Sequence, residues 1–301
     1  MPSPREASPA LQESMDRIAD EVNRTISRLL PETDLAEARL YDAMRHGVLN
    51  GGKRLRPFLT VQSAKLFGVD EARARRVAAA LEYMHCYSLI HDDLPAMDDA
   101  DTRRGKPAVH KEFDEATAIL AGDALQALAF EVLADPETHE DPRVRVELIS
   151  ALAKAAGGHG MCGGQMLDLL GETEEFDVGT ISRMQRMKTG MLISFACEAG
   201  AILGKADAAR RKALRNFAFD LGMAFQVTDD ILDVEADPAE TGKPANQDAA
   251  KSTFVTTLGK EQAKMRAEML VQQAVRHLHV FDERRTTMLR EVAFYVLERR
   301  A

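Results

Sequence analysis

Two short runs of aspartate contain the residues of this sequence best suited to catalysis. They comprise Asp92, Asp93, Asp98 and Asp99 in the string HDDLPAMDD, and Asp229, Asp230 and Asp233 in the string QVTDDILD. Hard divalent cations take oxygen ligands, and Mg²⁺ commonly binds one or two carboxylates together with phosphate oxygens and water. If the two runs face each other in the fold, they predict a clamp in which about three Mg²⁺ ions hold a diphosphate.

A run of aspartates can also be the solvated end of a helix, and for a single run that interpretation is the better one. Here both runs follow apolar segments, at 81–91 and 217–227. Aspartate is a poor helix former and neighbouring aspartates repel each other, so such runs cost stability at these positions. Because two clusters occur at positions where they destabilise the helix, we interpret them as metal-binding groups rather than as solvated surface.

The spacing within each run predicts which carboxylates act together. Asp229 and Asp233 are four residues apart and share one face of a helix. Asp92 and Asp98 are separated by about 240° on a regular helix and cannot face the same way. Pro95 lies between them, and proline distorts a helix interior, so we expect a bulge there.

Four groups of basic residues lie beside glycine near expected helix breaks. They are GGKRLRP at 51–57, Arg103-Arg104-Gly105, Lys188-Thr189-Gly190 and Thr241-Gly242-Lys243. Arginine matches phosphate oxygens with its planar guanidinium, and lysine supplies a compact positive charge. Each group alone is typical of a solvated surface. Their repeated position close to the acidic runs indicates that they bind an anionic substrate.

The elements that must position these residues are helices. Apolar residues recur at spacings of three and four from Ala10 onward, and no segment alternates with a period of two. Beyond the first segments, helices are predicted at about 71–93, 115–134, 142–157, 177–203, 206–236, 246–258, 260–280 and 283–299. The prediction is an all-α protein, a single large helical bundle of roughly ten or more helices around a central cavity. Residues 1–9 are predicted to be a flexible tail, and residues 10–301 one domain.

Composition and charge narrow the class of protein. The net charge of −9 argues against a nucleic acid as partner, and 45% hydrophobic with 29% charged residues is typical of globular proteins. No secretory signal and no apolar run of about 18 residues is present, so no transmembrane segment is expected. Cys86, Cys162 and Cys197 are far apart, which predicts free thiols in a reducing compartment. We therefore expect a cytoplasmic enzyme.

Taken together, these strings resemble the trans-isoprenyl diphosphate synthases, most closely the bacterial members that make farnesyl diphosphate. The resemblance runs from about residue 35 to 251, and its motifs occur in the family's order: GGKRLRP, YSLIHDDLPAMDD, RRG, ILAGDALQ, MCGGQMLDL, KTG, FQVTDDILDV and GK. It implies a Mg²⁺-dependent prenyltransferase that condenses isopentenyl diphosphate with dimethylallyl and geranyl diphosphate. It also implies a homodimer.

The resemblance further implies a role for each matching residue. The implied metal ligands are Asp92, Asp93, Asp98, Asp229 and Asp233. The residues implied to carry catalysis are Asp92, Asp98, Arg103, Lys188 and Asp229. The allylic diphosphate would contact Arg103, Lys188, Thr189, Gln226 and Lys243. Isopentenyl diphosphate would contact Lys53, Arg56, His85 and Arg104.

Product length is expected to depend on Tyr87 and Ser88. They precede Asp92 by five and four residues, which puts them about 6–8 Å further along the same helix. A large aromatic ring at that depth would close the end of the pocket, and in the resembled family an aromatic here is typical of enzymes whose product is farnesyl (C15) diphosphate. The alternative is a geranylgeranyl diphosphate synthase, which differs mainly at this position.

Overall fold

The structure is a computed structural model that describes residues 7–235 and 254–298, and nearly all of its regular structure is helical. The first half of the chain contains α1 Pro9–Leu29, α2 Ala38–Leu49, α3 Leu55–Lys65, α4 Glu71–Asp92, α5 Val109–Glu112, α6 Glu115–Ala134 and α7 Pro142–Ala156. The second half contains α8 Met161–Leu170, α9 Val178–Gln185, α10 Met191–Leu203, α11 Ala208–Glu235, α12 Phe254–Leu258, α13 Lys260–His277 and α14 Thr287–Glu298. The predicted all-α fold is confirmed.

Several helices begin where the sequence supplies an oxygen acceptor for free backbone N–H groups. The capping side chains are Ser8, Asp70, Asp114, Asp141 and Asp177. Such caps satisfy donors that have no partner within the helix. Because Ser8 caps α1, the helix already begins at Pro9, inside the segment that was predicted to be a flexible tail.

Helices α3, α4, α10 and α11 form the centre of the bundle. α4 packs against α3, α6 and α1, and α10 packs against α3, α7 and α11, while α13 packs along α11. The buried apolar side chains of the described residues form one hydrophobic cluster that extends from Leu11 to Val296. These helices leave a cavity between the C-terminal half of α4 and the C-terminal half of α11.

α6 is a long and strongly apolar helix. Within residues 7–235 and 254–298, it is the one helix whose length and composition would allow it to cross a membrane, and its apolar window is 44% buried. A helix packed in the core of a globular protein has the same properties. Since α6 packs on α2, α4 and α7, its apolar composition is explained by its packing within the bundle.

The structure differs from the predicted helices at several places. The predicted helix 177–203 is divided into α9 and α10 by a π-helical turn at Arg186–Gly190. Helix α8 was not predicted, because its paired glycines, Gly163 and Gly164, are poor helix formers. A two-stranded antiparallel hairpin, β1 Thr102–Arg103 and β2 Lys106–Pro107, follows the first acidic run.

Candidate active site

One cavity of about 980 Å³ brings most of the predicted site residues together. Of the predicted site residues, its lining includes Lys53, Arg56, His85, Tyr87, Ser88, Asp92, Arg103, Arg104, Lys188, Thr189, Gln226 and Asp229. They come from α3, α4, the hairpin, the π turn and α11, elements that are far apart along the chain. Apolar side chains such as Leu89, Leu192, Ile193 and Phe225 line the same cavity.

The first acidic run lies where α4 ends, and the expected bulge at Pro95 is wrong. α4 stops at Asp92, and the chain folds back so that the backbone N–H of Asp98 donates to the carbonyl of Asp92 at 2.8 Å. The turn therefore brings Asp98 next to Asp92 without any distortion within the helix. The pKa of Asp92 is raised to about 6, chiefly by burial and with a contribution from Asp98, while Lys188 and Arg103 oppose the shift.

Asp93 is buried beside this turn and does not line the cavity. Its carboxylate accepts hydrogen bonds from Arg103, including one from Nε at 3.0 Å. The hairpin that carries Arg103 is also tied to the end of α2, because the Asn50 amide donates to the Arg103 carbonyl at 3.2 Å. In this structure Asp93 holds Arg103 in the cavity wall. The role of Asp93 as a metal ligand stays a prediction.

The second acidic run lies on one continuous helix, α11. Asp229 lines the cavity, whereas Asp230 is buried. The Asp230 carboxylate accepts from the Gln226 amide at 3.2 Å and from the backbone N–H of Phe254 at 3.1 Å. Asp230 thereby joins α11 to the start of α12. Asp233 is half-buried and is not among the residues that line the cavity.

Lys188 and Thr189 are presented by the π turn. π turns widen a helix locally and are frequent at functional sites. Lys188 Nζ donates to the Asp168 carboxylate of α8 at 2.6 Å, and the Thr189 hydroxyl lies 3.4 Å from Gln226 Oε1. α8 packs very close to this turn at Gly164, where an added Cβ would lie 2.2 Å from the backbone nitrogen of Lys188.

The loop before α3 carries Lys53 into the cavity, the first turn of α3 carries Arg56, and a buried ion pair holds this loop. Arg54 adopts a left-handed backbone conformation with φ 49°. Its guanidinium donates to Glu82 at 2.5 Å and to the Val48 carbonyl at 2.6 Å, and both members of the ion pair are almost fully buried. A charge pair that is this well hydrogen-bonded holds one geometry, because breaking it would leave an uncompensated buried charge.

Two glycines of the same loop admit Arg104. The Arg104 guanidinium donates to the carbonyl of Gly51. Gly52 has a φ of 111°, and an added Cβ there would lie 2.5 Å from Arg104 Cζ. Glycine is therefore required at this position both by backbone conformation and by space. The contact joins the hairpin to the loop that carries Lys53 and leads into α3.

His85 is a neutral imidazole in this site. Arg56 Nη1 lies 3.3 Å from His85 Nε2, and a guanidinium can only donate, so this ring nitrogen accepts. Burial holds the pKa of His85 well below its usual range, and the positive charges of Arg56 and Arg104 lower it further. A neutral histidine among cations adds a polar contact without adding to their mutual repulsion.

Within residues 7–235 and 254–298, no three His, Cys, Asp or Glu side chains are close enough to hold a metal ion by themselves. Mg²⁺ does not need such a cage, because substrate phosphates and water complete its coordination. The carboxylate oxygens at the cavity are the hard donors that Mg²⁺ prefers. The raised pKa of Asp92 also fits, since a cation would offset both its burial and its neighbouring charges.

Sequence reasoning missed several residues of the cavity and its supports. The partner of Lys188, Asp168, lies in the quoted string MCGGQMLDL, but no role was predicted for it. Gln165 and Cys162 from the same helix also line the cavity. The support of Glu82 for Arg54 had no signal in the sequence, because the two residues are 28 positions apart. Lys243 lies outside the described residues.

Comparison with known proteins shows the family to which the chain belongs. The model of the polyprenyl synthetase family matches residues 37–287. The farnesyl diphosphate synthase of Escherichia coli (strain K12) is 44% identical over 294 residues, which cover 95% of this chain and 98% of that protein. The chain belongs to the polyprenyl synthetase family.

Two further proteins are similar over most of their length. The crystal structure of an apo FPP/GFPP synthase from Zymomonas mobilis has a TM-score of 0.88 at 47% identity, covering 96% of this chain and 99% of that one. Geranylgeranyl pyrophosphate synthase 7 of Arabidopsis thaliana is 42% identical over 266 residues, covering 87% of this chain and 76% of that protein.

Proposed function

We propose that this protein is a farnesyl diphosphate synthase, which condenses isopentenyl diphosphate with dimethylallyl and then geranyl diphosphate. The observation that carries the proposal is a single cavity with carboxylates from α4 and α11, six cationic side chains and apolar walls. Similarity to the E. coli farnesyl diphosphate synthase over nearly the full length of both chains supports the same reaction.

Mg²⁺ is the proposed cofactor, with about three ions in each active site. Asp92 and Asp98 on one side and Asp229 on the other are the proposed ligands, with Asp93 and Asp233 in supporting positions. When bound, the metal supplies Lewis-acid stabilisation of the charge that develops on the diphosphate leaving group. The carboxylates would bind and orient it, since Asp92 at the end of α4 and Asp229 on α11 both line the cavity.

Lys188 and Arg103 are proposed to bind the allylic diphosphate and to stabilise its negative charge as the C–O bond breaks. Both are held before substrate arrives, Lys188 by Asp168 and Arg103 by Asp93. Such preorganised donors stabilise a transition state without reorganising during the reaction. Lys243 is proposed to join them from outside the described residues. The oxygens of Thr189 and Gln226 would lie close to the allylic cation.

Isopentenyl diphosphate is proposed to bind at Lys53, Arg56 and Arg104, with neutral His85 as a further donor. The buried pair of Arg54 and Glu82 keeps this loop in place. The second substrate would thus be held through its diphosphate, leaving its double bond to reach the allylic carbon. Bringing two reactants together in this way removes much of the entropic cost of the reaction.

The apolar walls are proposed to receive the growing hydrocarbon and to keep water from the cation. Leu192, Ile193 and Phe225 offer no nucleophile to the allylic cation, and an enclosed site suppresses hydrolysis. Tyr87 is proposed to limit the product to fifteen carbons. With a smaller residue there, the same chemistry would continue to geranylgeranyl diphosphate.

The test is to incubate the purified protein with isopentenyl and dimethylallyl diphosphates and to separate the products by chromatography. We expect farnesyl diphosphate in the presence of Mg²⁺, none after treatment with a chelator, and recovery when Mg²⁺ is restored. Geranylgeranyl diphosphate as the main product would assign the alternative activity. Full activity in chelator would contradict the metal-assisted mechanism.

We also infer that the protein is a cytoplasmic homodimer. Ile119 and Leu120 form an exposed apolar patch on α6, 45% and 57% exposed, which a second copy would cover. The three cysteines are free thiols, as suits a reducing compartment. Light scattering of the purified protein would measure twice the mass of the chain, and the mass of one chain would refute the dimer.

A further inference from the structure

The side chain of Tyr87 contacts Cys162 of α8 and His91 of its own helix, and its hydroxyl also forms a hydrogen bond with the Gln126 side chain of α6. Its hydroxyl oxygen lies 3.3 Å from the Sγ of Cys162, at the start of α8. Its ring meets the imidazole of His91 edge to face, with the ring centroids 5.6 Å apart and the planes at 88°. Edge-to-face packing is the favoured geometry for two aromatic rings. The Tyr87 side chain therefore has a fixed partner at its tip and another along its edge.

His91 is itself held on the other side, by α6. Its Nε2 donates to the backbone carbonyl of Ile119 at 3.0 Å. The ring reaches that carbonyl only because residue 122 is glycine, since a Cβ at Gly122 would lie 2.1 Å from His91 Nε2. The Tyr87 ring is thus connected to α8 through Cys162 and to α6 through His91.

We propose that Cys162 and His91 are positioning residues that determine product length, by keeping the Tyr87 ring across the end of the cavity. This rests on the proposed prenyltransferase function. A phenol ring can turn about two side-chain torsions, so its size alone does not close a pocket. A ring that is held at its hydroxyl and at its edge stays in place, and a released ring can turn aside and admit a longer chain.

Cys162 is well placed for this role, unlike the other two cysteines. Cys162 is exposed and lines the cavity, whereas Cys86 and Cys197 are fully buried. Burial raises the pKa of Tyr87, so the phenol keeps its proton and can donate to the sulfur. The contact joins residues 75 positions apart and brings α8 to the limiting residue of α4.

The experiment compares farnesyl with geranyl diphosphate as the allylic substrate. For each enzyme the ratio of the two kcat/KM values is measured, together with the fraction of product longer than fifteen carbons. Removing the hydrogen bond from either side, in Cys162→Ala or in Tyr87→Phe, is expected to raise the ratio about fivefold to tenfold. Cys162→Ser keeps a hydroxyl partner at the same position and is expected to stay close to wild type.

The double variant separates the hydrogen bond from simple enlargement of the cavity. If the bond holds the ring, Tyr87→Phe with Cys162→Ala raises the ratio no further than either change alone. If the effect came only from added space in the cavity, Tyr87→Phe alone would leave the ratio of the two kcat/KM values nearly unchanged. Cys162→Ser would be close to wild type in both cases, so it does not distinguish them. An unchanged ratio in both single variants would overturn the proposed role of Cys162.

Gly122→Ala tests the His91 side independently. Its Cβ would displace the imidazole, and we expect the same shift to longer products. An unchanged ratio there would overturn the role of His91. Cys197→Ala, a buried thiol away from the cavity, is the matched control, and thermal unfolding shows that each variant is folded. Failure of the proposed function is recognised separately, because the wild-type protein would then form no prenyl product.

Discussion

The two acidic runs use the same pair of adjacent aspartates in two different backbones. In the first run the helix ends at Asp92 and the chain turns back, and in the second run α11 continues through the pair. Yet the division is the same. The first aspartate of each pair, Asp92 or Asp229, lines the cavity, and the second, Asp93 or Asp230, is buried.

The difference between them lies in what satisfies the buried carboxylate. Asp93 accepts from a side chain of the cavity wall, Arg103, whereas Asp230 accepts from the Gln226 amide and from a backbone N–H of α12. Adjacent residues of a helix point about 100° apart, so the two members of a pair meet different surroundings. In each pair, one carboxylate lines the cavity and the other forms the hydrogen bonds that hold the surrounding structure.

The largest effect is expected from the cavity-lining aspartates. Asp92→Asn and Asp229→Asn each remove a negative charge that is proposed to bind Mg²⁺. We expect a fall in kcat of about a thousandfold or more, equivalent to about 4 kcal/mol of transition-state stabilisation. The measurement is steady-state condensation of isopentenyl with geranyl diphosphate at saturating Mg²⁺.

The stability of these two variants should be close to that of the wild type, because neither residue is the buried member of its pair. A variant that kept near-normal turnover would refute the role of that aspartate. If a variant lost activity only because it unfolded, the cavity-lining aspartate would have the same structural role as the buried one.

The buried aspartates are expected to affect stability first. Asp230→Ala leaves the N–H of Phe254 and the Gln226 amide without this acceptor, which we expect to lower the free energy of unfolding by about 1–3 kcal/mol. Asp93→Ala leaves Arg103 without its partner and should cost a similar amount, about 1–3 kcal/mol. Urea unfolding measures both.

The two variants should differ in kinetics. Asp93→Ala releases Arg103 and is expected to raise KM for the allylic diphosphate, while Asp230→Ala should change KM less, because its backbone partner lies on α12. If both variants were as stable as wild type but inactive, the buried carboxylates would be acting directly on the metal.

A smaller effect is expected where α8 packs on the π turn. Gly164→Ala would force a methyl group against the backbone of Lys188, and overpacking of this kind costs about 1–3 kcal/mol. Because Lys188 would move, kcat should also fall. Gly158→Ala is the matched control, since an added Cβ there meets nothing within 4 Å. Equal behaviour of the two variants would show that the close packing is not needed.

The smallest effect is expected from Asp99, which belongs to the first run by sequence only. Its side chain is 63% exposed and lies 3.8 Å from Lys111. Asp99→Asn retains a residue type that tolerates the positive φ of 44°, and surface substitutions change stability by less than about 0.5 kcal/mol. A large loss of activity in Asp99→Asn would mean that the run acts as a whole rather than through Asp92.

Most helices and the candidate residues could be predicted from the sequence, because both are local properties. The apolar spacing predicted α6 at 115–134 and placed α4 within a residue of its observed end. The acidic runs and the basic groups were visible as strings, and most of their predicted site residues line one cavity. Periodicity of this kind needs no knowledge of the rest of the chain.

Which aspartate of each pair lines the cavity depends on how the helices pack. The same is true of the contacts that hold the buried aspartate. The sequence did not predict α8, because its glycines are poor helix formers. The reason for a glycine at position 164 is its close packing against the π turn, which only the folded structure shows. Asp168 beside Lys188, Glu82 beside Arg54 and Cys162 beside Tyr87 are 20, 28 and 75 residues from their partners. Contacts between helices depend on how the whole bundle packs, and no local pattern of residues encodes them.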